Sequence, residues 1–298
     1  MSFRSIIISN PARLYSKNNQ LVIANDELYQ VPIEDITTIM IEGNGVTLTN
    51  RLLSKLCDNN VITYVCNDKY IPNAVVLPLN SHYKSYRTFK NQLNQSEAFK
   101  KRIWQMIVKQ KLYNQGECLK LCGKNENELK ALSKKVESGD KGNKEAIGAK
   151  FYFHELFGKE FARNSSSGIN SALNYGYTIL RGAIARTLVS YGFNTVIGVN
   201  HCNELNNFNL ADDFIEPFRP IIDLWTFNNV SKDDILDKDH RISLVDLLNY
   251  ECIIAGQKHS VLNAIDKMIS SYSSCCEKKD YSKLLLPRLI ELEYHLYE

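Results

Sequence analysis

The chain has 298 residues, of which 44% are hydrophobic and 23% are charged, and these are the proportions of a soluble globular protein with one large domain or two of ordinary size. No apolar run approaches the length of a bilayer-spanning helix, and residues 1–16 lack an apolar signal core, so we expect a cytoplasmic protein and no membrane partner. The net charge is +3, and the eight cysteines include no CxxC pair, so neither a zinc site nor a disulfide framework is indicated.

The first 78 residues predict a small β-rich domain. Short runs of β-branched and aromatic residues alternate with turn residues such as "NNQ" and "GNG". The predicted strands are RSIIIS, LVIA, ELYQVP, ITTIMIEG, VITYVC and AVVLP. One helix interrupts them at about 48–59, where a threonine can cap it and leucines provide an apolar face. Residues 79–88, which include "SHYKSYRT", are interpreted as a linker.

From residue 89 to 298 the hydrophobic period changes to 3.6, which predicts a larger all-α domain and an α+β fold class overall. In the first of its helices, Phe99, Ile103, Met106 and Tyr113 align on one stripe, and Ser96 can cap the helix. Further helices are expected at 127–137, 141–157, 168–191, 209–227, 243–256, 259–273 and 281–296. There is no glycine-rich phosphate loop, which argues against a doubly wound nucleotide-binding fold.

Positive charge is concentrated between Lys84 and Lys111. This stretch contains eight basic residues and one acid, an excess larger than that of the whole chain. Such a local excess suggests a polyanionic partner, although solvated helix faces also carry lysines. The residues within it that we expect to contact such a partner are Lys84, Arg87, Lys100, Lys101 and Arg102.

The segment NLADDFIEPFRP (209–220) places Asp212, Asp213 and Glu216 within five positions. Like charges at i,i+4 are mildly destabilising in a helix, so a compensating partner is expected, and a bound cation is one candidate. Asn209 can cap this helix, and Pro217 should bend it near Glu216. The alternative is an acid-rich helix start that is favoured by the helix dipole.

Two other residues are candidates for chemistry. His201 precedes the acidic helix by a short loop, but a single histidine near carboxylates is more often structural than a ligand. Glu145 opens a helix whose small residues Ala146, Gly148 and Ala149 allow close packing against another helix. By composition alone Glu145 would be a solvated helix acid.

Several long segments together resemble the CRISPR-associated integrase, the larger subunit of the spacer-acquisition module. The segments are EAIGAKFYF around Glu145, NYGYTILRGAIARTLVSYGF (174–193), GVNHCNELNNFNLADDFIEPFRPIID (198–223), and the N-terminal ISNPARLYSKNNQLVI and ITTIMIEG. The resemblance covers essentially the whole chain. The details FNLADD and IEPFRP are similar to family members found beside a single-protein, RNA-guided effector nuclease.

The resemblance implies a catalytic metal site for Mg²⁺ or Mn²⁺. Glu145, His201 and Glu216 match the family's three ligands, while Asp213 and Tyr152 match positions that support them. Arg181 and Arg219 are further expected DNA contacts. Two carboxylates and an imidazole are a donor set that suits these ions and leaves positions open for phosphate oxygen and water.

The implied activity is DNA integration in CRISPR adaptation. In the family, 3′-OH ends of short prespacer duplexes are joined to the repeat by strand transfer, with associated endonuclease activity. The implied assembly is a homodimer formed through the β domains, together with a small ferredoxin-like adaptation subunit. Other acquisition proteins and the effector nuclease are further implied partners. Two alternatives stay open: a metal-dependent nuclease that only hydrolyses, and a non-enzymatic DNA-binding scaffold.

Overall fold

The computed structural model describes residues 4–68, 70–78 and 85–296, and it shows a mixed α/β protein. The described residues up to 78 form one compact unit, and those from 85 onward form another. The predicted linker 79–88 falls partly outside the described residues, and its last four positions, 85–88, begin a helix. Within the described residues, no helix is long and apolar enough to cross a membrane.

The N-terminal unit contains two four-stranded sheets and one helix. Its elements are β1 (Arg4–Ile8), β2 (Arg13–Lys17), β3 (Gln20–Ala24), β4 (Leu28–Pro32), β5 (Ile36–Ile41), β6 (Thr47–Leu48), α1 (Asn50–Asp58), β7 (Ile62–Cys66) and β8 (Pro72–Val76). One sheet has the order β1-β5-β7-β8, and the other has the order β4-β3-β2-β6. β2 and β6 were not predicted. Thr49 caps α1 through its side chain, as expected.

The core of this unit explains its sequence pattern. All six residues of β5 are buried, which accounts for its continuous run of apolar residues and threonines. β5 pairs in parallel with both β1 and β7. α1 provides the connection from β5 to β7, because parallel neighbours need a crossover. Leu52 and Leu56 of α1 pack into the same apolar cluster as Leu14 and Leu21.

The C-terminal unit is built mainly of helices. They are α2 (Ser85–Leu93), α3 (Glu97–Leu121), α4 (Asn127–Lys134), α5 (Lys144–Phe157), α6 (Gly168–Ser190), α7 (Asn209–Ile215), α8 (Arg219–Asn229), α9 (Lys238–Asp246) and α10 (Val261–Lys278). Five apolar side chains on one stripe of α6 are all buried, as their spacing predicted: Leu173, Tyr177, Leu180, Ile184 and Leu188.

The prediction of an all-α domain was wrong near the C-terminus. Residues 251–256 and 259–260, which were expected to belong to two helices, instead form, together with 257–258, a hairpin of β9 (Glu251–Ile254) and β10 (Gln257–Ser260). Ala255 and Gly256 both have positive φ at its turn, the conformation that a two-residue hairpin loop requires. Residues 284–296 are extended rather than helical, and Arg288 pairs with Ile253 of β9.

α3 lies at the centre of this unit and is buried on more sides than one stripe would predict. Trp104, Ile107, Val108 and Leu112 are as buried as the predicted Phe99 and Ile103, whereas Met106 and Tyr113 are only half-buried. A helix with apolar residues all round is a helix enclosed by others. α4, α5 and α8 all pack on α3. α3 is therefore the scaffold on which neighbouring helices are positioned.

Gly148 lets α5 approach α3 closely, as the small residues of α5 suggested. A Cβ at this position would lie 2.2 Å from Leu112 Cδ2. Leu112 is itself fully buried, so it cannot move aside freely. The glycine therefore sets the spacing of the two helices one turn beyond Glu145.

Replacing this glycine should destabilise the unit. Gly148→Ala forces α5 away from α3, and we expect a loss of about 1–3 kcal/mol in the free energy of unfolding, because overpacking outweighs the better helix propensity of alanine. Urea titration followed by circular dichroism measures it. The control is Gly142→Ala, where the added Cβ meets only the flexible side chain of Lys144. If Gly148→Ala and Gly142→Ala were equally stable, this would contradict the close approach of α5 to α3 at Gly148.

Candidate metal and DNA site

Glu145 is held at the start of α5 by an unpredicted residue, Asp140. One carboxylate oxygen of Asp140 accepts the backbone N–H of Lys144, and the other accepts that of Glu145, both at 2.9 Å. This double contact satisfies two of the free N–H groups at the helix start and complements the helix dipole. The backbone of Glu145 is therefore fixed, and its side chain projects from the first turn.

The ammonium of Lys111 lies between Glu145 and Glu216. Lys111 Nζ is 2.7 Å from Glu145 Oε1 and 2.5 Å from Glu216 Oε2. These two carboxylate oxygens therefore cannot lie farther apart than the sum of the two distances, about 5.2 Å. Lys111 is buried, and its pKa is raised: burial favours the neutral amine, but the negative charges of Glu216 and Glu145 outweigh it. Two acids that are distant in sequence thus share one cation position.

Glu216 stands at a break between two helices. α7 ends at Ile215 and α8 begins at Arg219, so the single helix expected over 209–227 is interrupted where Pro217 predicted a bend. Glu216 Oε1 is 3.1 Å from Arg219 Nε. Burial opposes the charged form, but Arg219 and Lys111 together lower the pKa of Glu216. The carboxylate is therefore ionised inside the protein.

Asp213 orients His201, as the resemblance implied for a supporting acid. His201 Nδ1 is 2.8 Å from Asp213 Oδ1. The carboxylate also accepts the backbone N–H groups of Val199, Asn200 and His201 itself. Gly198 allows the backbone to fold closely around the Asp213 carboxylate, because a Cβ at this position would lie 2.3 Å from the carbonyl oxygen of His201. Since a carboxylate accepts the Nδ1 proton, Nε2 of the neutral ring is left as a ligand atom.

The imidazole of His201 is also packed and electrostatically placed. The ring makes an edge contact with Trp104 of α3, with centroids 5.7 Å apart. The side chain is still 39% exposed, so part of the ring can meet a ligand. The hydrogen bond with Asp213 raises the pKa of His201, and the negative charges of Asp213, Glu216 and Asp212 add to this effect. His201 thus lies within electrostatic reach of Glu216.

Each acid of the 212–216 cluster has its own cationic or imidazole partner. These partners offset the repulsion among the three carboxylates. Asp212 accepts from Arg181 Nε at 2.7 Å and from the amide of Asn206. Asp213 has His201, and Glu216 has the cations described above. All three acids are buried and paired, so the helix dipole is not the only interaction that offsets their charge.

The predicted capping role of Asn209 is also wrong. Asn209 is the first helical residue, and its amide donates to the carbonyl groups of Val196, Asn203 and Asn206. Its side chain therefore closes the loop that carries His201.

Three arginines and Asp212 line a cavity of about 330 Å³, whose wall also includes Ile215, the neighbour of Glu216 in sequence. Arg181 and Arg219 were predicted DNA contacts, whereas Arg163 was not predicted. Arg163 donates to the amide oxygens of Asn170 and Asn174 rather than to a carboxylate. It therefore keeps its positive charge available to an anion. A cavity of this charge next to buried acids suits a phosphate group.

Tyr152 lies one step farther from the metal candidates than the resemblance implied. Its hydroxyl donates to Asp223 Oδ2 at 2.9 Å, and the hydroxyl of Tyr177 donates to the other oxygen of Asp223. The guanidinium of Arg219 stacks over the Tyr177 ring at 4.5 Å. Tyr152 therefore supports Glu216 indirectly, through Asp223, Tyr177 and Arg219.

The remaining predicted DNA contacts lie on the surface or outside the described residues. Lys84 is outside them. Arg87 is exposed and pairs with Glu277. Lys101 and Arg102 are exposed on the first turns of α3, while Lys100 is half-buried and pairs with Glu97. Lys111, which was counted in the same basic stretch, is instead buried between two acids.

The donor set suits a divalent cation, although the side chains in their present positions do not form a complete metal-binding cluster. Among the described residues, no group of three or more His, Cys, Asp and Glu side chains could hold a metal ion. An ammonium lies between two of the three expected ligands. Glu216 Oε2 is buried and makes no hydrogen bond of good angular geometry within the described residues, so the Lys111 contact leaves lone pairs for another cation. A positive charge at this position therefore stabilises the two carboxylates.

Sequence reasoning missed Lys111, Trp104, Asp140 and Arg163 as parts of the site. Lys111 had a detectable signal, because it falls on the same helical face as Trp104, Ile107 and Val108 and is therefore a lysine on an apolar face. Asp140 and Arg163 carried no local signal, since their roles depend on contacts made only in the fold.

Several solved structures share this fold. The chain superposes on a structure titled "Casposase bound to integration product" with a TM-score of 0.75 and 20% identity, covering 95% of this chain and 94% of that one. It also superposes on "Cas6-RT-Cas1--Cas2 complex" with a TM-score of 0.73 and 17% identity, covering 97% of this chain and 36% of that one. At such identities these likenesses show the fold.

Sequence comparison gives the particular family. A family model described as "CRISPR associated protein Cas1" matches residues 6–249. The "CRISPR-associated endonuclease Cas1" of Neisseria meningitidis serogroup C (strain 8013) is 40% identical over 304 residues, which cover all of both chains. The chain belongs to the Cas1 family, and the resemblance stated from its motifs is confirmed.

The buried Asp223 predicts a pH dependence of stability. Burial raises its pKa to about 6 from about 3.8, although the Tyr177 and Tyr152 hydroxyls partly oppose this. Because the folded chain binds this proton more tightly than the unfolded chain does, stability should fall as pH rises from about 4 to about 6, by up to about 3 kcal/mol. Asp223→Asn should remove that part of the slope.

Urea titrations of the metal-free protein at several pH values between 4 and 7 measure this slope. The matched control is Asp233→Asn, which changes an exposed loop acid in the same way. If Asp223→Asn and Asp233→Asn show the same slope as the unaltered chain, Asp223 is not the buried acid that we describe.

Proposed function

We propose that this protein joins the 3′-OH ends of short prespacer DNA to a CRISPR repeat by transesterification, and that it also has endonuclease activity. The observation that carries the proposal is the convergence of Glu145 and Glu216 on one cation position, with His201 within electrostatic reach of Glu216. Membership of the Cas1 family supports the same reaction class. The name of the Neisseria relative and the titles of the fold neighbours agree with action on DNA.

Glu145, His201 and Glu216 would hold the divalent ion, Mg²⁺ or Mn²⁺. When bound, such an ion supplies Lewis-acid polarisation of the scissile phosphate and stabilises charge on the leaving oxygen. Because Lys111 lies between two of the ligands, its ammonium has to give up at least one carboxylate when the ion enters. Asp213 keeps the imidazole oriented through Nδ1, and Arg219 fixes the Glu216 carboxylate.

The arginines beside the acids give the site its affinity for the DNA backbone. Arg163, Arg181 and Arg219 line one cavity next to Glu216, and a guanidinium can bind a phosphate through two parallel hydrogen bonds. These contacts would hold the phosphodiester against the acids without reading its bases. A 3′-OH as nucleophile gives strand transfer, and water gives hydrolysis.

Partners follow from the family. One fold neighbour is part of a complex with Cas2, and we propose a partner of that type here, matching the expected small ferredoxin-like subunit. A homodimer formed through the β-rich N-terminal unit, and contacts with other acquisition proteins and the effector nuclease, remain predictions.

The three candidate ligands are tested in a strand-transfer assay with a prespacer duplex and a repeat-containing plasmid. Glu145→Gln, His201→Ala and Glu216→Gln should each lose nearly all strand transfer, whereas the exposed-acid control Glu128→Gln should keep it. Asp213→Asn should weaken Mn²⁺ binding about 10–100-fold, because the orienting carboxylate is lost. Calorimetric Mn²⁺ titration provides this second readout.

The outcomes separate the alternatives. Cleavage of the plasmid without joining, in a reaction that contains the Cas2-type partner, would favour a nuclease that only hydrolyses. Full strand transfer by the Glu216→Gln and His201→Ala variants would leave a DNA-binding scaffold and would exclude the proposed site.

The basic surface at the start of α3 gives a second test. Reversing Lys100, Lys101 and Arg102 to glutamate should reduce duplex affinity and flatten its salt dependence, because phosphate contacts release counterions. The matched control is reversal of Lys278, Lys279 and Lys283, three exposed lysines with the same total charge change. Fluorescence anisotropy over a range of salt concentrations measures both. Equal effects of the two triple variants would show that α3 does not contact the duplex.

A further inference from the structure

A second cavity lies on the face of α3 that points away from Lys111. It has a volume of about 750 Å³, within the usual range of ligand pockets. Its α3 wall consists of Met106, Lys109, Gln110 and Tyr113, which are spaced i, i+3, i+4 and i+7 and so share one face. At 100° per residue, Lys111 points about 150° away from this face. The cavity is therefore separate from the candidate metal site.

The charge of this cavity is positive throughout. Lys109, Lys134 and Arg288 line it, and none of its lining residues is acidic. In the described part of the chain, none of the three cations forms an ion pair with an acid. Three like charges around one cavity repel one another, so an anion bound among them would be stabilised.

The backbone of Arg288 is fixed in place, although the residue is exposed. Its backbone exchanges two hydrogen bonds with Ile253, at 2.7 and 3.0 Å. On either side of it, the carbonyl of Pro287 and the N–H of Leu289 bond to the buried side-chain amide of Asn114 on α3. The guanidinium lies over the Tyr113 ring at 5.5 Å. A cation held by such contacts loses little freedom when it binds a ligand, which favours binding.

Most of the remaining wall is apolar, although Gln110 and Ser133 also line the cavity. Met106, Ile253, Leu284 and Leu286 line the cavity together with Ala255 and Gly256 of the β9–β10 turn. A phosphate ion alone would leave most of this volume and apolar surface without contact. A ligand with an anionic group and an attached flat, weakly polar group would use both.

We propose that this cavity binds a nucleotide unit, with its phosphate at Lys109, Lys134 and Arg288 and its base against the apolar wall. The unit has two possible sources, a free mononucleotide or one position of a DNA strand. The second source rests on the proposed function. The amide of Asn114 also donates to the carbonyl of Pro217, the neighbour of Glu216, so the Arg288 segment is joined by one side chain to the candidate metal site.

The test measures binding in EDTA, so that no divalent ion contributes. The two probes are thymidine 5′-monophosphate and a fluorescent thymidine pentanucleotide. Lys134→Glu and Arg288→Met should each weaken binding of at least one probe about tenfold, because a charged hydrogen bond to phosphate is lost. The matched control is Lys135→Glu, an exposed lysine one position away that does not line the cavity.

The outcomes divide as follows. Loss confined to the pentanucleotide supports a DNA strand as the source, loss confined to the monophosphate supports a free nucleotide, and loss of both supports a site that accepts either. No loss beyond that of Lys135→Glu overturns the proposal, and Lys134→Glu decides it even if Arg288→Met fails to fold. Ultraviolet cross-linking of a 4-thiothymidine pentanucleotide should also label peptides containing residues 106–113 or 284–288. Because no metal is present, the result does not depend on whether strand transfer occurs.

Discussion

The buried ammonium of Lys111, shared by Glu145 and Glu216, is the interaction on which the candidate site depends. Two carboxylates placed at most about 5.2 Å apart inside a protein repel each other, and a buried charge without a partner costs several kcal/mol. Either a lysine or a metal ion can supply the missing positive charge. The lysine thus holds the two carboxylates in place in the absence of metal. The same acids are then ready to exchange an ammonium for a divalent cation.

The helices packed around α3 are arranged so that the charges of Lys111, Glu145 and Glu216 come together. The close approach at Gly148 places the first turn of α5, with Glu145, beside Lys111. The break at Pro217 ends α7 so that Glu216 faces the same ammonium from the other side. On the same face of α3 as Lys111, Trp104 packs against His201. One long helix therefore organises three separate segments, which explains why it is buried so completely.

Much of this could be predicted from the sequence, and the failures have physical causes. α6 carries a long regular stripe, so its core face was predicted correctly. Pro217 marked the right position, although the structure has two helices there and the prediction was a bend within one. β2 was missed because its sequence RLYSK contains only two apolar or aromatic residues, and β6 because it has only two residues. The strands of the 251–260 hairpin were mostly mistaken for the end of one helix (243–256) and the start of the next (259–273), because their apolar residues fit either period and only the Ala255–Gly256 turn distinguished them. Lys111 was counted in the basic stretch expected to meet a polyanion, because lysine is rarely buried and its two partners come from distant segments.

The central claim is that Glu145, His201 and Glu216 bind one divalent ion at the position that Lys111 neutralises. The most direct measurement is a crystal structure of the protein soaked with Mn²⁺, with the ion located by its anomalous scattering. Our account predicts one strong peak in contact with all three side chains and an ammonium of Lys111 that has left at least one carboxylate. A peak elsewhere, or no peak with Lys111 still joining both acids, would contradict it.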